Sequence, residues 1–338
     1  MTSIAVIGAG SWGTALAIHL GREGHDVRLW AREPEVVAEL RERRTNSTYL
    51  PGPEVPPTVC GTNDLAEALE GAPIVLHVVP SHGTRSVMRQ MRPHLHPGMV
   101  IVSATKGLEE GTHRRMSEVI REEAGPGCPI VVLSGPSFAA EVARGLPTAV
   151  LVASEDDTAA ATVQHEFRGR AFRLYASDDV VGVEIGGAMK NVIAIAAGIV
   201  DAMGLGHNAL AALITRGLAE ISRLAGALGG RRDTLAGLSG LGDLVLTCTG
   251  SLSRNRQVGM ALGEGRSLAE ILAGMKSVAE GVRTTHAALV LGREVGVELP
   301  ITQKMDEIMT GGKDPRRATE ELMVRPQRPE AERTDPAG

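Results

Sequence analysis

The chain has 338 residues, of which 43% are hydrophobic and 22% are charged. This length exceeds what a single hydrophobic core usually supports, so two domains are expected, and the ordinary composition argues against disorder over most of the chain. The formal net charge of -5 argues against a nucleic-acid-binding surface along the whole chain, although it is compatible with a local cationic pocket for a phosphorylated small molecule.

The sequence also argues against export and against a membrane span. Residues 4–7 form an apolar strand close to the N-terminus, without the basic segment and the long apolar segment of a signal peptide. The most apolar later stretch, 192–214, contains Asp201, His207 and Asn208, which favours a pair of buried helices. We therefore expect a cytoplasmic protein without integral membrane contact.

The three cysteines, Cys60, Cys128 and Cys248, are far apart and have no CxxC spacing. Buried thiols in a reducing cytoplasm are therefore expected. The histidines have no HxxxH or similar spacing, so no metal site is expected.

Short apolar runs alternate with helix-length amphipathic segments through the first half of the chain. The predicted strands are residues 4–7, 27–30, 74–79, 100–103 and 130–133. This alternation is typical of βα units in a parallel sheet. Two further runs, 149–153 and 172–175, flank a helix predicted to begin near the acidic residues 155–157, and they extend the sheet.

The pattern changes after Asp178 and Asp179, which are favourable N-cap residues. From there the chain consists of long segments rich in Ala, Leu, Ile and Gly with helical periodicity. We therefore expect an N-terminal α/β domain of the Rossmann type over residues 1–180, with a mainly parallel, doubly wound sheet and extra strands. An all-α domain is expected over 181–325, and the charged, proline-containing residues 326–338 are expected to form a flexible tail.

A glycine-rich turn follows the first predicted strand. Gly8, Gly10 and Gly13 form a GxGxxG pattern that opens a helix predicted to continue to Leu20. In this context Gly8 permits a tight turn, Gly10 allows backbone amides to approach a pyrophosphate, and Gly13 permits close packing of helix on strand. The pyrophosphate would lie at the positive N-terminal end of the helix. The pattern therefore predicts a dinucleotide-binding site rather than an ordinary glycine-rich turn.

The end of the second strand bears on the choice between NAD and NADP. A carboxylate usually holds the ribose hydroxyls of NAD at this position, and here Arg32 precedes Glu33. Arg32 would accept the 2′-phosphate of NADP, or it is an ordinary surface charge, whereas Glu33 would serve NAD. The expected cofactor is thus NAD or NADP, and Arg32 is compatible with NADPH. Residues 79–81, at another strand end, are expected beside the nicotinamide side of the cleft.

Only five of the 35 basic residues are lysines, and two of these five have glycine-rich or apolar surroundings. Lys106 follows a strand end, where ligands meet an open α/β sheet. Lys190 precedes the apolar run 192–200, so its ammonium group is expected to be partly desolvated. Desolvation lowers the pKa of an amine toward the range of a general acid or base. The alternative for Lys190 is a lysine whose stem is buried and whose ammonium reaches solvent.

Three further segments offer groups for a small polar or phosphorylated ligand. Gly135 and Ser137 belong to a turn after a strand end. Asp243 stands in a glycine-rich turn suited to approach by a substrate hydroxyl or a lysine, or it is a helix N-cap. Residues 251–256, which include Arg254, predict a capped helix start with a guanidinium that suits a phosphate dianion, and an exposed capping turn is the alternative.

Taken in order, these segments closely resemble the bacterial NAD(P)-dependent glycerol-3-phosphate dehydrogenase family. The matching motifs are the fingerprint at Gly8, Lys106, the turn 135–137, the segment 186–191, Asp243, residues 253–255 and residues 278–281. The resemblance covers nearly the whole chain except the C-terminal tail. It implies reversible hydride transfer between NAD(P)H and dihydroxyacetone phosphate, which gives sn-glycerol 3-phosphate for phospholipid synthesis, in a homodimer.

The resemblance also implies roles for individual residues, with Lys190 as the proton donor and acceptor. The implied substrate contacts are Lys106, Gly135, Ser137, Lys190, Asp243, Ser253, Arg254 and Asn255. The implied cofactor contacts, besides Gly8, Gly10 and Gly13, are Ser11, Trp12, Arg32, Tyr49, Lys106, Ala139, Arg254, Val278 and Glu280. An ammonium group near the ketone would stabilise and protonate the oxygen that becomes negative as hydride arrives. A guanidinium on the remote phosphate would orient the carbonyl.

Two other functions remain open at this point. A 3-hydroxyacid or phosphogluconate type dehydrogenase shares the nucleotide-binding domain, the helical second domain and a catalytic lysine. A non-catalytic protein that senses NAD(P)H would need only the first of these features. The presence of both Lys106 and Lys190 argues against such a sensor.

Overall fold

Eight strands form one mostly parallel sheet in the computed structural model, which describes residues 1–275, 279–327 and 329–330. The strands are β1 (Ser3–Ile7), β2 (Asp26–Trp30), β3 (Val59–Thr62), β4 (Ile74–His77), β5 (Val100–Ser103), β6 (Ile130–Ser134), β7 (Thr148–Ala153) and β8 (Phe172–Ser177). Their order in the sheet is β3-β2-β1-β4-β5-β6-β7-β8. Only β6 and β7 are antiparallel neighbours within this sheet, with Val132 opposite Ala153.

Helices cover both faces of this sheet. They are α1 (Ser11–Arg22), α2 (Pro34–Glu42), α3 (Leu65–Leu69), α4 (Ser81–Met91), α5 (Met116–Ala124), α6 (Ala139–Ala143) and α7 (Asp157–Phe167), with a short 3-10 turn at Arg92–His94. Side chains alternate between the two faces of a strand, so Val6 of β1 belongs to the hydrophobic core that includes side chains of α1, α2 and α6, whereas Ile7 belongs to the core that includes side chains of α3, α4 and α5. The predicted mainly parallel, doubly wound sheet with extra strands is thereby confirmed.

The strand β3 is absent from the sequence prediction. Its four residues, Val59–Thr62, include a glycine and follow a proline-rich segment, so they lack a local strand signal. Pairing with β2, in which Val27 lies beside Val59, makes this segment a strand.

Alternation along the edge strand β3 exposes Cys60, so the prediction of buried thiols is wrong for that residue. It is also wrong for the half-buried Cys128, whereas Cys248 is buried.

The C-terminal part is helical, which confirms the predicted all-α character. Its helices are α8 (Val180–Ala202), α9 (Gly206–Ala227), α10 (Arg232–Ala236), α11 (Asp243–Thr249), α12 (Arg254–Gly263), α13 (Leu268–Ala273), α14 (Glu280–Glu294), α15 (Pro300–Met309) and α16 (Pro315–Met323). Asp179 caps α8 by accepting a hydrogen bond from the Gly182 amide at 2.8 Å, in agreement with the predicted N-cap.

Helix α8 is the centre of the helical domain. It is long and apolar enough to cross a membrane by length and composition, but 94% of its most apolar window is buried within the fold. It packs against α9, α11, α12 and α14. The stretch 192–214 is thus divided between two helices, α8 and α9, as predicted, and both extend beyond that stretch.

Two glycines allow α8 and α12 to approach each other closely. A Cβ at Gly259 would lie 1.9 Å from the carbonyl oxygen of Ile195, and one at Gly198 would lie 2.0 Å from that of Arg256. No side chain fits at such distances, so the backbones of the two helices touch at this crossing. This contact joins α12 to the C-terminal half of α8 and thereby holds the start of α12 in place.

Gly259→Ala is expected to lower the free energy of unfolding by about 1–3 kcal/mol, because the added methyl group must separate two packed helices. Urea unfolding followed by circular dichroism measures the change. Gly226→Ala is the matched control, since a Cβ at this helical position meets no atom within 4 Å. It should leave stability unchanged or raise it by up to about 1 kcal/mol. Equal effects of the two substitutions would contradict the proposed crowding.

Candidate active site

The glycine-rich turn after β1 forms a cradle at the N-terminus of α1. Gly8 has a φ of +116°, and a Cβ at Gly13 would lie 1.8 Å from the carbonyl oxygen of Gly8. A Cβ at Gly10 would meet nothing within 4 Å, so space lies in front of the turn. Gly10 is the N-cap of α1 and offers no capping side chain, which leaves first-turn amides for an anion. These residues fit the pyrophosphate of a dinucleotide.

Asn46, which lies outside the glycine motif, stabilises this turn through hydrogen bonds. Its side-chain amide donates to the carbonyl oxygen of Ala9 at 2.8 Å and to Oγ1 of Thr14 at 2.8 Å. Asn46 is only 1% exposed, and it lies 32 residues along the chain from Thr14. The sequence offers no signal for this contact, because only the folded loop after α2 brings Asn46 there.

Four further residues expected to contact the cofactor lie within or after the glycine-rich turn in the sequence. Ser11 donates a hydrogen bond to the carbonyl oxygen of the half-buried Tyr49, and the partly buried Trp12 packs against the core of the α/β part. Arg32 is largely exposed, and its guanidinium lies 2.8 Å from the carboxylate of Glu33. A 2′-phosphate that bound Arg32 would therefore compete with Glu33 for the same guanidinium.

Two lysines and one aspartate meet at the carboxyl end of the sheet. Lys106, just beyond β5, donates to the Asp243 carboxylate at 2.6 Å and to the carbonyl oxygen of Gly135 at 3.2 Å. Lys190, in the middle of α8, donates to the other oxygen of Asp243 and to Oγ1 of Thr247 at 2.9 Å. Asp243 is 1% exposed and Lys190 is 7% exposed. One buried carboxylate thus holds both ammonium groups at a fixed separation.

Glycines make this convergence possible. Gly135 directly follows β6 and has a φ of +141°, and its carbonyl oxygen accepts hydrogen bonds from Lys106 and, at 3.0 Å, from the Ser137 hydroxyl. Gly187 lies one turn before Lys190, where a Cβ would lie 2.9 Å from Ser134 Oγ and 3.7 Å from Lys106 Cγ. The absence of a side chain at Gly187 lets the Lys106 stem pass alongside α8.

Asp243 does not stand in an open glycine-rich turn, nor is it an N-cap. Residues Leu238–Gly242 form a π-helical turn that leads directly into α11, whose first residue is Asp243. Gly240 permits this turn, because a Cβ there would lie 2.0 Å from the carbonyl oxygen of Leu235. The helical arrangement places Thr247 four residues after Asp243 on the same helix face. This spacing is the signal by which Thr247, which sequence reasoning missed, could have been found.

Burial and charge together set the protonation of the cluster. Burial lowers the pKa of Lys190 to about 8, although the Asp243 carboxylate opposes this shift. Burial by itself disfavours an ionised Asp243, but the ammonium groups of Lys106 and Lys190 hold the pKa of this carboxyl below its ordinary value. Lys190 is therefore poised to release a proton near neutral pH while Asp243 stays ionised.

The start of α12 lies beside this cluster. Residues 251–256 contain the predicted capped helix start, with Ser253 as the N-cap that accepts a hydrogen bond from the Arg256 amide at 3.2 Å. Asn255 donates to Oδ1 of Asn191 at 2.9 Å and accepts from the Gly281 amide at 3.0 Å, so it ties α12 to α8 and α14. Sequence reasoning did not single out Asn191, although it is adjacent to Lys190.

Arg254, the first residue of α12, is exposed. Within the described residues, no hydrogen bond or ion pair holds its guanidinium, and the carboxylate of Glu280 acts on it only through its charge. The residue is therefore free to bind an anion that enters the cleft.

The remaining predicted residues lie around the cleft. Glu280 begins α14 and accepts hydrogen bonds from the hydroxyl of Ser81 at 2.5 Å and from its amide at 3.2 Å. Ala139 is half-buried and begins α6. Val278 lies outside the described residues. The structure brings Lys106, Gly135, Lys190 and Asp243 into direct contact, whereas Ser11 contacts Tyr49 and Arg32 contacts Glu33.

The chain is similar to known proteins over both of its parts. Residues 3–160 match the family model described as NAD-dependent glycerol-3-phosphate dehydrogenase N-terminus, and residues 179–320 match the model for the C-terminus. A relative named glycerol-3-phosphate dehydrogenase (NAD(P)+) from Koribacter versatilis is 62% identical over 274 residues, which are 80% of this chain and 81% of the relative. A relative of the same name from Thioalkalivibrio sulfidiphilus is 56% identical over 265 residues, which are 78% and 80% of the two chains.

The fold also has a similar counterpart among solved structures. The crystal structure of glycerol-3-phosphate dehydrogenase from Coxiella burnetii superposes with a TM-score of 0.92 at 44% sequence identity. The alignment covers 96% of this chain and 99% of that chain. The likeness therefore extends over both the sheet and the helical domain.

Proposed function

The chain belongs to the NAD-dependent glycerol-3-phosphate dehydrogenase family, and from this premise we propose that it reduces dihydroxyacetone phosphate reversibly to sn-glycerol 3-phosphate with NADH or NADPH. The observation that carries the proposal is the convergence of Lys106 and Lys190 on the buried carboxylate of Asp243. Such an arrangement suits a reaction in which negative charge develops on one oxygen and is then neutralised by a proton.

In the proposed reaction, the bound nicotinamide supplies or accepts the hydride. Lys190 donates a proton from Nζ to the carbonyl oxygen as the carbon is reduced, and it takes the proton back in the reverse direction. Asp243 and Thr247 hold the Lys190 amine in place through both protonation states. The ammonium group of Lys106 stabilises the developing alkoxide, with its position fixed by Asp243 and Gly135.

The Lys190 pKa of about 8 suits this exchange. Below that pH the amine carries the proton needed for reduction, and above it the neutral amine is the base needed for oxidation. The rate of reduction should therefore fall as pH rises through about 8, and the rate of oxidation should rise.

Further contacts are proposed from family membership. The proposed substrate contacts beyond the lysine pair are Gly135, Ser137, Asp243, Ser253, Arg254 and Asn255, with Arg254 on the phosphate. The proposed cofactor contacts are Gly8, Gly10, Ser11, Trp12, Gly13, Arg32, Tyr49, Lys106, Ala139, Arg254, Val278 and Glu280. A cytoplasmic homodimer that supplies phospholipid synthesis is part of the same proposal, and the family likeness is its support.

A spectrophotometric assay tests the proposed function directly. Oxidation of NADH and of NADPH is followed at 340 nm with dihydroxyacetone phosphate as substrate, and the reverse reaction is followed with sn-glycerol 3-phosphate. Turnover in both directions is expected. Turnover of a 3-hydroxyacid or of 6-phosphogluconate, with none of glycerol 3-phosphate, would overturn the assignment.

Arg32→Ala is expected to raise the KM for NADPH by about tenfold and to change the KM for NADH by no more than about twofold, because only NADPH carries the 2′-phosphate. The loss is expected to be moderate because Glu33 already pairs with the Arg32 guanidinium. Steady-state kinetics with each cofactor measure the two effects. A similar rise for both cofactors would assign Arg32 a role other than phosphate recognition.

A further inference from the structure

Ser81 and Glu280 form a hydrogen-bonded contact between the start of α4 and the start of α14. The Ser81 hydroxyl donates to one carboxylate oxygen of Glu280 at 2.5 Å, and the Ser81 amide donates to the other at 3.2 Å. The two residues are 199 positions apart in the sequence, so the contact joins the α/β part to the helical domain. Ser81 is only 3% exposed.

This carboxylate supplies the cap that α4 lacks. The N-cap of α4 is Pro80, which has no side chain that accepts hydrogen bonds, so the first-turn amides need an acceptor from elsewhere. A carboxylate at a helix N-terminus is also favoured by the helix dipole. Glu280 meets both requirements, because its carboxylate accepts from the amide and the hydroxyl of Ser81, the first residue of α4.

The contact is continuous with the lysine cluster. Gly107 follows Lys106 and has a φ of +137°. A Cβ at Gly107 would lie 3.0 Å from Ser81 Oγ and 3.2 Å from the Glu280 carboxylate. The backbone after Lys106 therefore packs directly on the Ser81–Glu280 pair. A displacement of this pair would also displace the backbone next to Lys106 in the active site.

The charge on Glu280 depends on its hydrogen-bond donors. Burial raises the pKa of this carboxyl, and the Ser81 hydroxyl and amide act against that rise. The other groups that act on Glu280 are His82, from α4, and Arg254, from α12. Removing the Ser81 hydroxyl should therefore favour protonated Glu280.

We propose that Ser81 is a positioning residue that orients the Glu280 carboxylate toward the bound nicotinamide dinucleotide. This role rests on the proposed function, in which Glu280 contacts the cofactor. A carboxylate held by two donors keeps its remaining lone pairs in a fixed direction, so a donor group on the cofactor meets an acceptor already in place. Without the hydroxyl, the carboxylate keeps one weaker contact and turns more freely.

The test measures NADPH binding without substrate, from the fluorescence of the bound dinucleotide across a range of pH. Ser81→Ala is expected to raise the Kd for NADPH by about tenfold, the size of effect of one hydrogen bond to a charged group. Ser81→Thr keeps the hydroxyl and should stay within about twofold of the wild type. Ser86→Ala, at an exposed position of the same helix, is the matched control and should change nothing.

The pH dependence gives a second readout. Affinity should fall on acidification as Glu280 takes up a proton and loses an acceptor. The fall should begin at a higher pH in Ser81→Ala than in the wild type, because the lost donor stabilised the ionised form. A general loss of packing would lower the affinity for NADPH without changing the pH at which this affinity begins to fall.

A double-mutant cycle with Glu280→Ala decides the assignment. In the Glu280→Ala background, the further change Ser81→Ala should have little effect on the NADPH Kd. An undiminished effect in that background, an unchanged Kd for Ser81→Ala alone, or an equal loss in Ser81→Thr would each overturn the proposal. Because no substrate is present, failure to reduce dihydroxyacetone phosphate would count against the proposed function and would leave this result intact.

Discussion

Lys190→Ala is expected to lower kcat for reduction of dihydroxyacetone phosphate by about 10³- to 10⁴-fold, while NADPH still binds. The estimate combines the loss of the proton donor, about 10²- to 10⁴-fold, with the loss of one cation near the developing alkoxide. Because Lys106 remains paired with Asp243, the carboxylate keeps one ammonium partner and the pocket should persist. Steady-state turnover and NADPH fluorescence titration on the same preparation measure the two properties.

Lys304→Ala is the matched control for this substitution. Lys304 is also a lysine of the helical domain, but it pairs with Glu307 and Glu321 in the α15 and α16 region. Its removal should leave kcat within about twofold of the wild type, since ion pairs of this kind contribute little. The residual activity of Lys190→Ala should also lack the wild-type pH dependence near 8. Full activity in Lys190→Ala would remove this residue from the mechanism.

Arg254→Ala is expected to lower kcat/KM for dihydroxyacetone phosphate by at least about 10²-fold. A guanidinium bound to a phosphate dianion makes two charge-assisted hydrogen bonds, and each factor of ten corresponds to about 1.4 kcal/mol. Within the described residues, no other group holds this guanidinium by a hydrogen bond or ion pair, so its binding capacity is available to the substrate. Kinetics at saturating NADH, with the phosphorylated ketone varied, measure the loss.

Arg256→Ala separates phosphate binding from the general effect of removing an arginine. Arg256 lies on the same helix, but its guanidinium donates to Asp201 at 2.7 Å. This variant should stay within about threefold of the wild-type kcat/KM. Unphosphorylated dihydroxyacetone is a second comparison, because its slow reduction should be almost insensitive to Arg254→Ala. A comparable loss with both ketones would contradict a phosphate contact.

Much of the fold was predictable because the signals are local. The GxGxxG turn lies directly between β1 and α1, and the apolar runs that alternate with helices match the strands observed. The exceptions have physical causes. The segment Val59–Thr62 becomes strand β3 only through pairing with β2, and the antiparallel direction of β7 is set by the path of the chain between β6 and β7, not by a local sequence pattern.

The site was predictable in part. The scarcity of lysines and their apolar surroundings singled out Lys106 and Lys190, and the burial of Lys190 agrees with that expectation. The partners of these lysines were harder to predict from the sequence. Thr247, Asn191 and Asn46 make contacts across long sequence separations. The only local signals are the four-residue spacing of Thr247 from Asp243 and the position of Asn191 beside Lys190, and Asn46 has none.

By itself, the sequence determined most of the strands, the helical character of the C-terminal part, the nucleotide-binding turn and the residues with unusual surroundings, because backbone preference and hydrophobic periodicity act over a few neighbouring positions. Only the tertiary structure decided which charged and polar groups pair with each other. Lys106 lies 137 positions and Lys190 lies 53 positions from Asp243, and Ser81 lies 199 positions from Glu280. Such pairs form when strand order and helix crossings, here α8 against α12, bring distant segments together. Their protonation depends on burial that exists only in the folded chain.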